Sequence, residues 1–393
     1  MKQVLFLVML LPLMHTLFAQ KAFSRKELAA IDKKALQLPD SLTRNTTDMA
    51  SYINTHFRGD RDRARAIFIW IASNIQYDIE NVFAINFYEK MEAKIDKPLK
   101  TRKGICENYA ALFNDLCAKC GIKSYLIEGY TRQNGFTEYI PHAWCVARID
   151  TAWYMFDPTW GAGSITERKF VRRINNTYFQ ATPSILIKTH MPFDYLWQFL
   201  RFPITNQEFY EGKTEVNLSK AYFNYTDSLK LYESQSRQEQ LKGIVYRIQK
   251  NGLKNSMLFD RLRNTQVELD NIKIGQDNAR RQKIINTYNS AVQDYNDGIN
   301  AYNEFIHYKN ARFTPLKPDA DIQEMMNAAE NKLKNAIAKL ASVNESEIDG
   351  VTPGQLGKAV EDVARKVAEE QEWLKTYFSK KRADRKDMFY GRR

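Results

Sequence analysis

Between Thr101 and Trp160 the order of periodicities leaves few folds open. Gly104-Ile105-Cys106 leads into a run in which Tyr109, Leu112, Phe113, Leu116, Cys117 and Cys120 share one face at helical spacing. Gly121 follows where a left-handed cap is wanted, so the run reads as a buried helix that begins at or near Cys106. After it the period changes to two. Ser124 to Thr131 and Phe136 to Tyr139 read as strands joined by Asn134-Gly135, a hairpin turn. Pro141 to Ile149 and Trp153 to Asp157 read as a second hairpin around Asp150-Thr151-Ala152. The expectation is α+β: a cysteine-bearing helix packed on an antiparallel sheet.

Register decides what this sheet can do. If Asp150 and Thr151 are the turn residues, Ile149 pairs with Ala152 and Trp144 lies opposite Asp157. His142 and Asp157 then become diagonal neighbours on one face, within reach of each other's side chains. A three-residue turn would put them on opposite faces. Cys106 at a helix start faces outward-pointing N–H groups, where the dipole favours negative charge and an oxyanion finds donors. Each residue alone has a plain structural reading. A cysteine at a helix start is usually a small buried hydrophobe, and an Asp before Pro is a common turn former. Together Cys106, His142 and Asp157 supply a nucleophile, a base and a group to orient the base.

These segments resemble the transglutaminase-like superfamily, which has a papain-like cysteine fold. The resemblance rests on Gly104-Ile105-Cys106-Glu107-Asn108-Tyr109-Ala110, Gly121-Ile122 through Gly129-Tyr130, His142-Ala143-Trp144, and Trp153 through Gly161. It is nearest the kyphoscoliosis-peptidase and cytokinesis-protein branch, whose tail is matched by Pro183, His190-Met191-Pro192-Phe193-Asp194 and Trp197-Gln198. What the resemblance implies is a triad with Cys106 as nucleophile, His142 as general base and Asp157 as orienter. Two residues depart from the family pattern: Asn108 stands where Gly is common, and Cys145 where Asn is common. The family also contains members that bind rather than turn over.

The rest of the chain sets the context. Met1 to Gln20 has a lysine at its start, an apolar core from Val4 to Leu13 and Ala19-Gln20 at its end, the pattern of a secretory signal peptide. Residues 21–205 form the expected transglutaminase-like domain, with Ala64, Ile67, Phe68, Trp70, Ile71 and Ile75 on an amphipathic helix. Trp70 is assigned to packing. Residues 80–102 read as an irregular lysine-rich loop with some helix. From 206 to 379 Gly and Pro thin out, and a helical, coiled-coil-like domain is expected. Ile285, Tyr288, Val292, Tyr295, Ile299, Tyr302 and Ile306 form one seam, and Phe313 to Pro318 break it. Residues 380–393 are a basic tail, expected to lack order.

Four cysteines are too few for a disulfide scaffold, and Cys117-x-x-Cys120 lacks a second pair at zinc-like spacing, so no metal and no cofactor are expected. The net charge of +12 favours an acidic neighbourhood, such as a cell-envelope polymer or an anionic surface. No nucleic-acid motif is present, and an exported chain does not meet nucleic acid. The expected function is that of an exported, periplasmic or extracellular cysteine-dependent acyl-transfer enzyme acting on protein or peptide amides. Hydrolysis, as in a protease or deamidase, is preferred over crosslinking. The alternative is a non-catalytic binding or scaffold module, with self-association through a helical seam.

Overall fold

The computed structural model describes residues 25–343 and 352–389. The signal-peptide reading of Met1 to Gln20 lies outside them. The chain divides into two compact units, Met1–Glu268 and Leu269–Arg393.

The first unit opens with helices α1 (Arg25–Ala35), α2 (Thr46–His56) and α3 (Asp60–Asn74). Helix α2, which the sequence reading did not find, starts from an Asn45 cap whose side chain accepts the Asp48 N–H. Helix α3 forms where the apolar periodicity put it, but Ala64 to Ala72 are all buried, so it is enclosed on every side rather than amphipathic; Trp70 lies inside the core at 3% exposure. Strand β1 (Gln76–Tyr77) follows, then α4 (Met91–Thr101) within the expected loop, and strand β2 (Lys103–Gly104). Strands β1 and β2 pair in parallel, setting Tyr77 beside Gly104 just ahead of the helix that begins at Cys106.

Helix α5 (Cys106–Lys119) begins on Cys106, and Gly121 takes φ +77° beyond its end. It packs on an antiparallel sheet of β3 (Ser124–Gln133), β4 (Phe136–Ile149), β5 (Ala152–Phe156) and the later β8 (His190–Pro192), in the order β5-β4-β3-β8. Both expected turns form: Asn134 and Gly135 adopt φ +49° and +85°, and Ile149 pairs with Ala152 across Asp150. Strand β4 runs unbroken where the sequence suggested two strands. Pro141 is tolerated inside it because the pairing is irregular there. Between Tyr130↔Pro141 and Arg132↔Thr137, one residue of β3 faces three of β4, a bulge centred on Glu138 to Ile140.

After β5 come α6 (Pro158–Ala162), the hairpin β6 (Gly163–Thr166) and β7 (Lys169–Arg172), α7 (Pro183–Leu186) and β8 (His190–Pro192). The β6–β7 hairpin and β8 were not read from the sequence. Gly129 is required where β8 docks: a Cβ there would lie 2.1 Å from the Met191 carbonyl oxygen and 2.5 Å from the Trp144 ring. The core on the α5 side joins Phe68, Tyr109, Phe113 and Phe156, and a second cluster on the sheet's other face joins Ile127, Trp144, Val146 and Met155.

Helices α8 (Asn206–Glu211), α9 (Tyr225–Ser234) and α10 (Arg237–Lys250) lie beyond the residue-206 boundary drawn from composition. They nevertheless pack on the first unit, with Arg247 bonded to Asp194 at 2.7 Å and Asn206 accepting from the Tyr130 hydroxyl at 2.7 Å. The packing therefore divides the chain at 268/269, inside α11 (Ser256–Asn310), a single 55-residue helix.

In the second unit α12 (Asp319–Leu340) and α13 (Pro353–Ser379) pack with the end of α11. Phe305, Phe313, Trp373, Tyr377 and Phe389 form its aromatic centre. Phe389 belongs to a 3₁₀ turn, Arg382–Phe389, inside the tail expected to lack order. That turn is held by Arg385 on Asp319 at 2.7 Å. Among the described residues no helix is long and apolar enough to cross a membrane.

Candidate active site

The site is assembled where α5 begins. In mid-helix the Cys145 thiol of β4 donates to the Ala110 carbonyl at 3.1 Å, pinning helix to strand. One turn back along α5 is Cys106, and three residues back along β4 is His142. The first intrahelical bonds are Asn108 and Tyr109 N–H to the Ile105 carbonyl, so the N–H groups of Cys106 and Glu107 lie ahead of the ladder. The two residues that depart from the family pattern both have structural work. Cys145 is the small group that lets helix and sheet meet. Asn108 accepts the Ile105 N–H at 2.9 Å and donates to the Lys94 carbonyl at 3.0 Å, tying α4 to the helix start. A Cβ on Gly104 would sit 2.8 Å from that of Asn108, so the glycine makes room for it.

The expected register brings His142 and Asp157 together. His142 Nε2 lies 2.8 Å from Asp157 Oδ2, and the ring lines the same cleft as Cys106, whose sulfur acts on its charge. Asp157 caps α6, its Oδ1 accepting the N–H groups of Thr159 and Trp160 at 2.8 and 3.1 Å. The sequence-predicted residues Cys106, His142 and Asp157 therefore meet at one spot, with exposures of 1%, 7% and 0%.

A fourth residue was not among them. His190 Nε2 lies 3.0 Å from the same Asp157 Oδ2, and its Nδ1 meets the Thr189 hydroxyl at 2.8 Å. It was visible in the sequence only as part of the His190-to-Asp194 motif; its place follows from β8 pairing with β3, Thr131 opposite His190. Trp160 crosses the His190 ring edge-on at 4.6 Å, and Trp144 lies 5.2 Å away on another side.

Electrostatics separate the two imidazoles. Burial opposes charge on His142, but the Asp157 carboxylate and the Cys106 sulfur outweigh it and push its pKa up to about 10. Burial pushes His190 down; Asp157 opposes the shift, and the neighbouring charge of His142 adds to it. Burial would raise Asp157, yet its bonds to His142 and His190 hold it well below the usual carboxylate range. The trio thus reads as Asp⁻, His142⁺ and neutral His190. His142, Asp157 and His190 also place three ligand atoms within 4.8 Å of one another. A metal would need both Nε2 lone pairs, taking from Asp157 the two hydrogen bonds that keep it ionised. The donor set suits proton chemistry better than coordination.

Cys106 and His142 open on a cleft of about 460 Å³. Tyr77, Trp160, Phe170 and Tyr178 give it aromatic walls, and Gln133, Glu138 and Thr159 are polar positions in it. Burial raises the Tyr77 phenol well above its ordinary pKa, and the nearby Cys106 and Asp157 charges add to this, so it stays a neutral donor. Glu107 and Lys94 form an ion pair of 3.0 Å at 3% exposure each, one residue from Cys106.

Residues 47–158 match the model of the Transglutaminase-like superfamily. Kyphoscoliosis peptidase of Mus musculus is 31% identical over 170 residues, 41% of this chain and 25% of that protein. The Homo sapiens kyphoscoliosis peptidase is 32% identical over 158 residues, 38% of this chain and 23% of that protein. The chain thus spans about a quarter of the length of these relatives. The periplasmic domain of TgpA from Pseudomonas aeruginosa is similar over 34% of this chain and 49% of that one, with 18% identity and a TM-score of 0.25. The resemblance read from the motifs is borne out over the matched segment, which is a transglutaminase-like domain of the branch that includes the kyphoscoliosis peptidases. Such a domain is compatible with a cysteine-dependent enzyme or with a binding module.

Proposed function

We propose that the transglutaminase-like domain of this chain is a cysteine-dependent acyl-transfer enzyme that hydrolyses protein or peptide amides through Cys106, His142 and Asp157. The observation that carries this is one imidazole bonded to Asp157 at 2.8 Å through Nε2 and lining the same cleft as Cys106. The Cys106 sulfur, its proton passed to His142 Nδ1, attacks the amide carbonyl carbon. The N–H groups of Cys106 and Glu107 hold the oxyanion, with the Tyr77 phenol a further donor at the cleft. His142 Nδ1–H protonates the departing amine, and a thioester remains on Cys106. Water, losing a proton to Nδ1, then attacks the thioester, and the acid leaves. Asp157 keeps Nε2 protonated, so Nδ1 stays available to the sulfur throughout.

A polar cleft lining lets water reach the thioester, which favours hydrolysis over transfer to a lysine amine. Phe83, Phe136 and Ile165 stay exposed at 81%, 78% and 50% on segments that reach the cleft, suiting an extended peptide chain. Export to the periplasm or cell exterior is part of the proposal and rests on the Met1-to-Gln20 pattern. One observation favours the second reading, a binding module: Cys106 is only 1% exposed. Iodoacetamide labelling separates the two. Rapid, stoichiometric modification of Cys106, slowed at least tenfold by His142→Ala, supports chemistry. Modification no faster than that of the buried Cys117 leaves the binding reading.

A further inference from the structure

Lys and Arg number 58 against 46 Asp and Glu, yet among the described residues no Lys or Arg lines the cleft, and Glu138 is the single charged residue that does, apart from the reacting His142. Glu138 reaches the cleft because of the bulge in β4. In a regular ladder one residue of β3 would face one of β4, but Thr131 faces the whole Glu138-to-Ile140 segment. Bulges re-aim side chains, and here Glu138 and Ile140 both line the cleft together with Pro141 and His142. The Thr131 hydroxyl donates to Glu138 Oε2 and fixes the carboxyl, which leaves Oε1 for a ligand. Aromatic rings of Tyr77, Trp160, Phe170 and Tyr178 frame the same space. A carboxylate among aromatic faces suits an organic cation, which gains Coulomb attraction and cation–π contact together. Thr159, a cleft residue 6% exposed, has a buried hydroxyl without a hydrogen-bond partner among the described residues.

We propose that Glu138 is a specificity residue: it selects a basic side chain, lysine or arginine, in the peptide whose amide Cys106 attacks. This rests on the acyl-transfer reading above. The cation belongs to the attacked peptide rather than to an attacking amine on chemical grounds. A carboxylate stabilises an ammonium ion against loss of its proton, and an amine nucleophile has to lose that proton. Glu138 therefore recognises a charge that stays charged.

Small thiol reagents test this without a known substrate. The full chain is treated with 2-aminoethyl, methyl and 2-sulfonatoethyl methanethiosulfonate, which carry positive, zero and negative charge. In each, the Cys106 sulfur forms a disulfide bond with the reagent's thio sulfur, methanesulfinate leaves, and the thiol proton is released. Rates at Cys106, located by mass spectrometry, are divided by those of N-acetylcysteine amide. The cation-to-neutral ratio is expected to exceed unity by roughly fivefold to tenfold at low salt. Glu138→Gln, which keeps the shape and the bond to Thr131, should bring this ratio to within about twofold of unity. A wild-type ratio at or below unity, or one that Glu138→Gln leaves unchanged, overturns the proposal. The acyl-transfer reading fails separately, if the neutral reagent is slow and His142→Ala does not change its rate. Protection against the neutral reagent by acetyl-Ala-Ala-Lys-Ala-Ala-amide, beyond that conferred by its norleucine analogue and by cadaverine, places the cation on the attacked peptide. Equal protection by cadaverine places it on an attacking amine and overturns that assignment.

Discussion

Asp157→Asn is the sharpest perturbation of this site, because it is nearly isosteric and its consequences are set by hydrogen-bond direction. Asp157 Oδ1 accepts two backbone N–H groups and Oδ2 accepts from two imidazoles. In the variant the amide oxygen keeps the backbone bonds, and the amide nitrogen turns its donors towards both rings. His142 must then present a lone pair at Nε2 and carry its proton on Nδ1, facing Cys106. A ring in that tautomer cannot take the thiol proton, and alkylation of Cys106 should fall by about 10²-fold or more. Stability changes with it. The rise of His142 from 6.5 to about 10 caps its contribution at about 5 kcal/mol. Loss of one partner of a buried pair costs about 3–5 kcal/mol, the same range. The pH dependence has a definite sign. His142 is raised, so its contribution is complete below pH 6.5 and drains away as pH climbs to about 10. His190 is lowered, so just above pH 6.5 it adds a small opposite slope while the unfolded imidazole finishes losing its proton, and none by pH 8. Urea denaturation of the wild type at pH 6.5, 8 and 10 should therefore show falling stability, and Asp157→Asn should be weaker and flatter across the same points. A variant that keeps both the wild-type alkylation rate and the wild-type slope would refute this dual role for Asp157.

Other expectations follow from neighbouring contacts. His190→Gln can meet either Asp157 or Thr189 but not both with the ring's geometry; it should slow Cys106 alkylation several-fold while His142→Ala slows it further, and the unfolding free energy should drop by about 1–3 kcal/mol. Lys94→Met leaves the Glu107 carboxylate buried without its cation at 3.0 Å, costing about 3–5 kcal/mol by urea titration, and the double variant with Glu107→Gln should recover part of it. Gly129→Ala drives a methyl to 2.1 Å from the Met191 carbonyl, so β8 should detach, measured as hydrogen-exchange protection lost at Met191 together with slower alkylation of Cys106. All four cysteines are free, so dithiothreitol should leave the melting temperature unchanged; a drop would contradict the free thiols.

What the sequence made legible was local or carried by short-range turn chemistry. Cys106 at a helix start needed only a glycine, an apolar face and a closing Gly121. The meeting of His142 with Asp157 followed from one two-residue turn, because side-chain period 2 converts a register into a contact. What stayed hidden depended on distant packing. Strand β8 has three residues, too few for any periodicity, and is defined by the gap that Gly129 leaves for it. The bulge that turns Glu138 into the cleft comes from unequal strand lengths around Thr131, which no residue type announces. The residue-206 boundary followed a real change of composition, yet α9 and α10 carry partners for the sheet unit, such as Glu233 for Lys123 and Arg247 for Asp194, that composition does not reveal.

The same carboxylate closes α6, fixes β8 through His190 and orients His142, so at Asp157 stability and reactivity are one property. At Cys106 and Glu138 they are not. Cys106 borders open space on one side, and Glu138 reaches its cleft from a bulge, its carboxyl hydrogen-bonded among the described residues to the Thr131 hydroxyl alone. Cys106→Ser should therefore abolish labelling with little loss of stability, whereas Asp157→Asn loses both. If every site variant lost stability in proportion to reactivity, the site would be a packing unit that happens to contain a cysteine. The chemical reading requires the two quantities to come apart at the sulfur and the cleft carboxylate, and to stay joined only where Asp157 ties the strands and helix together.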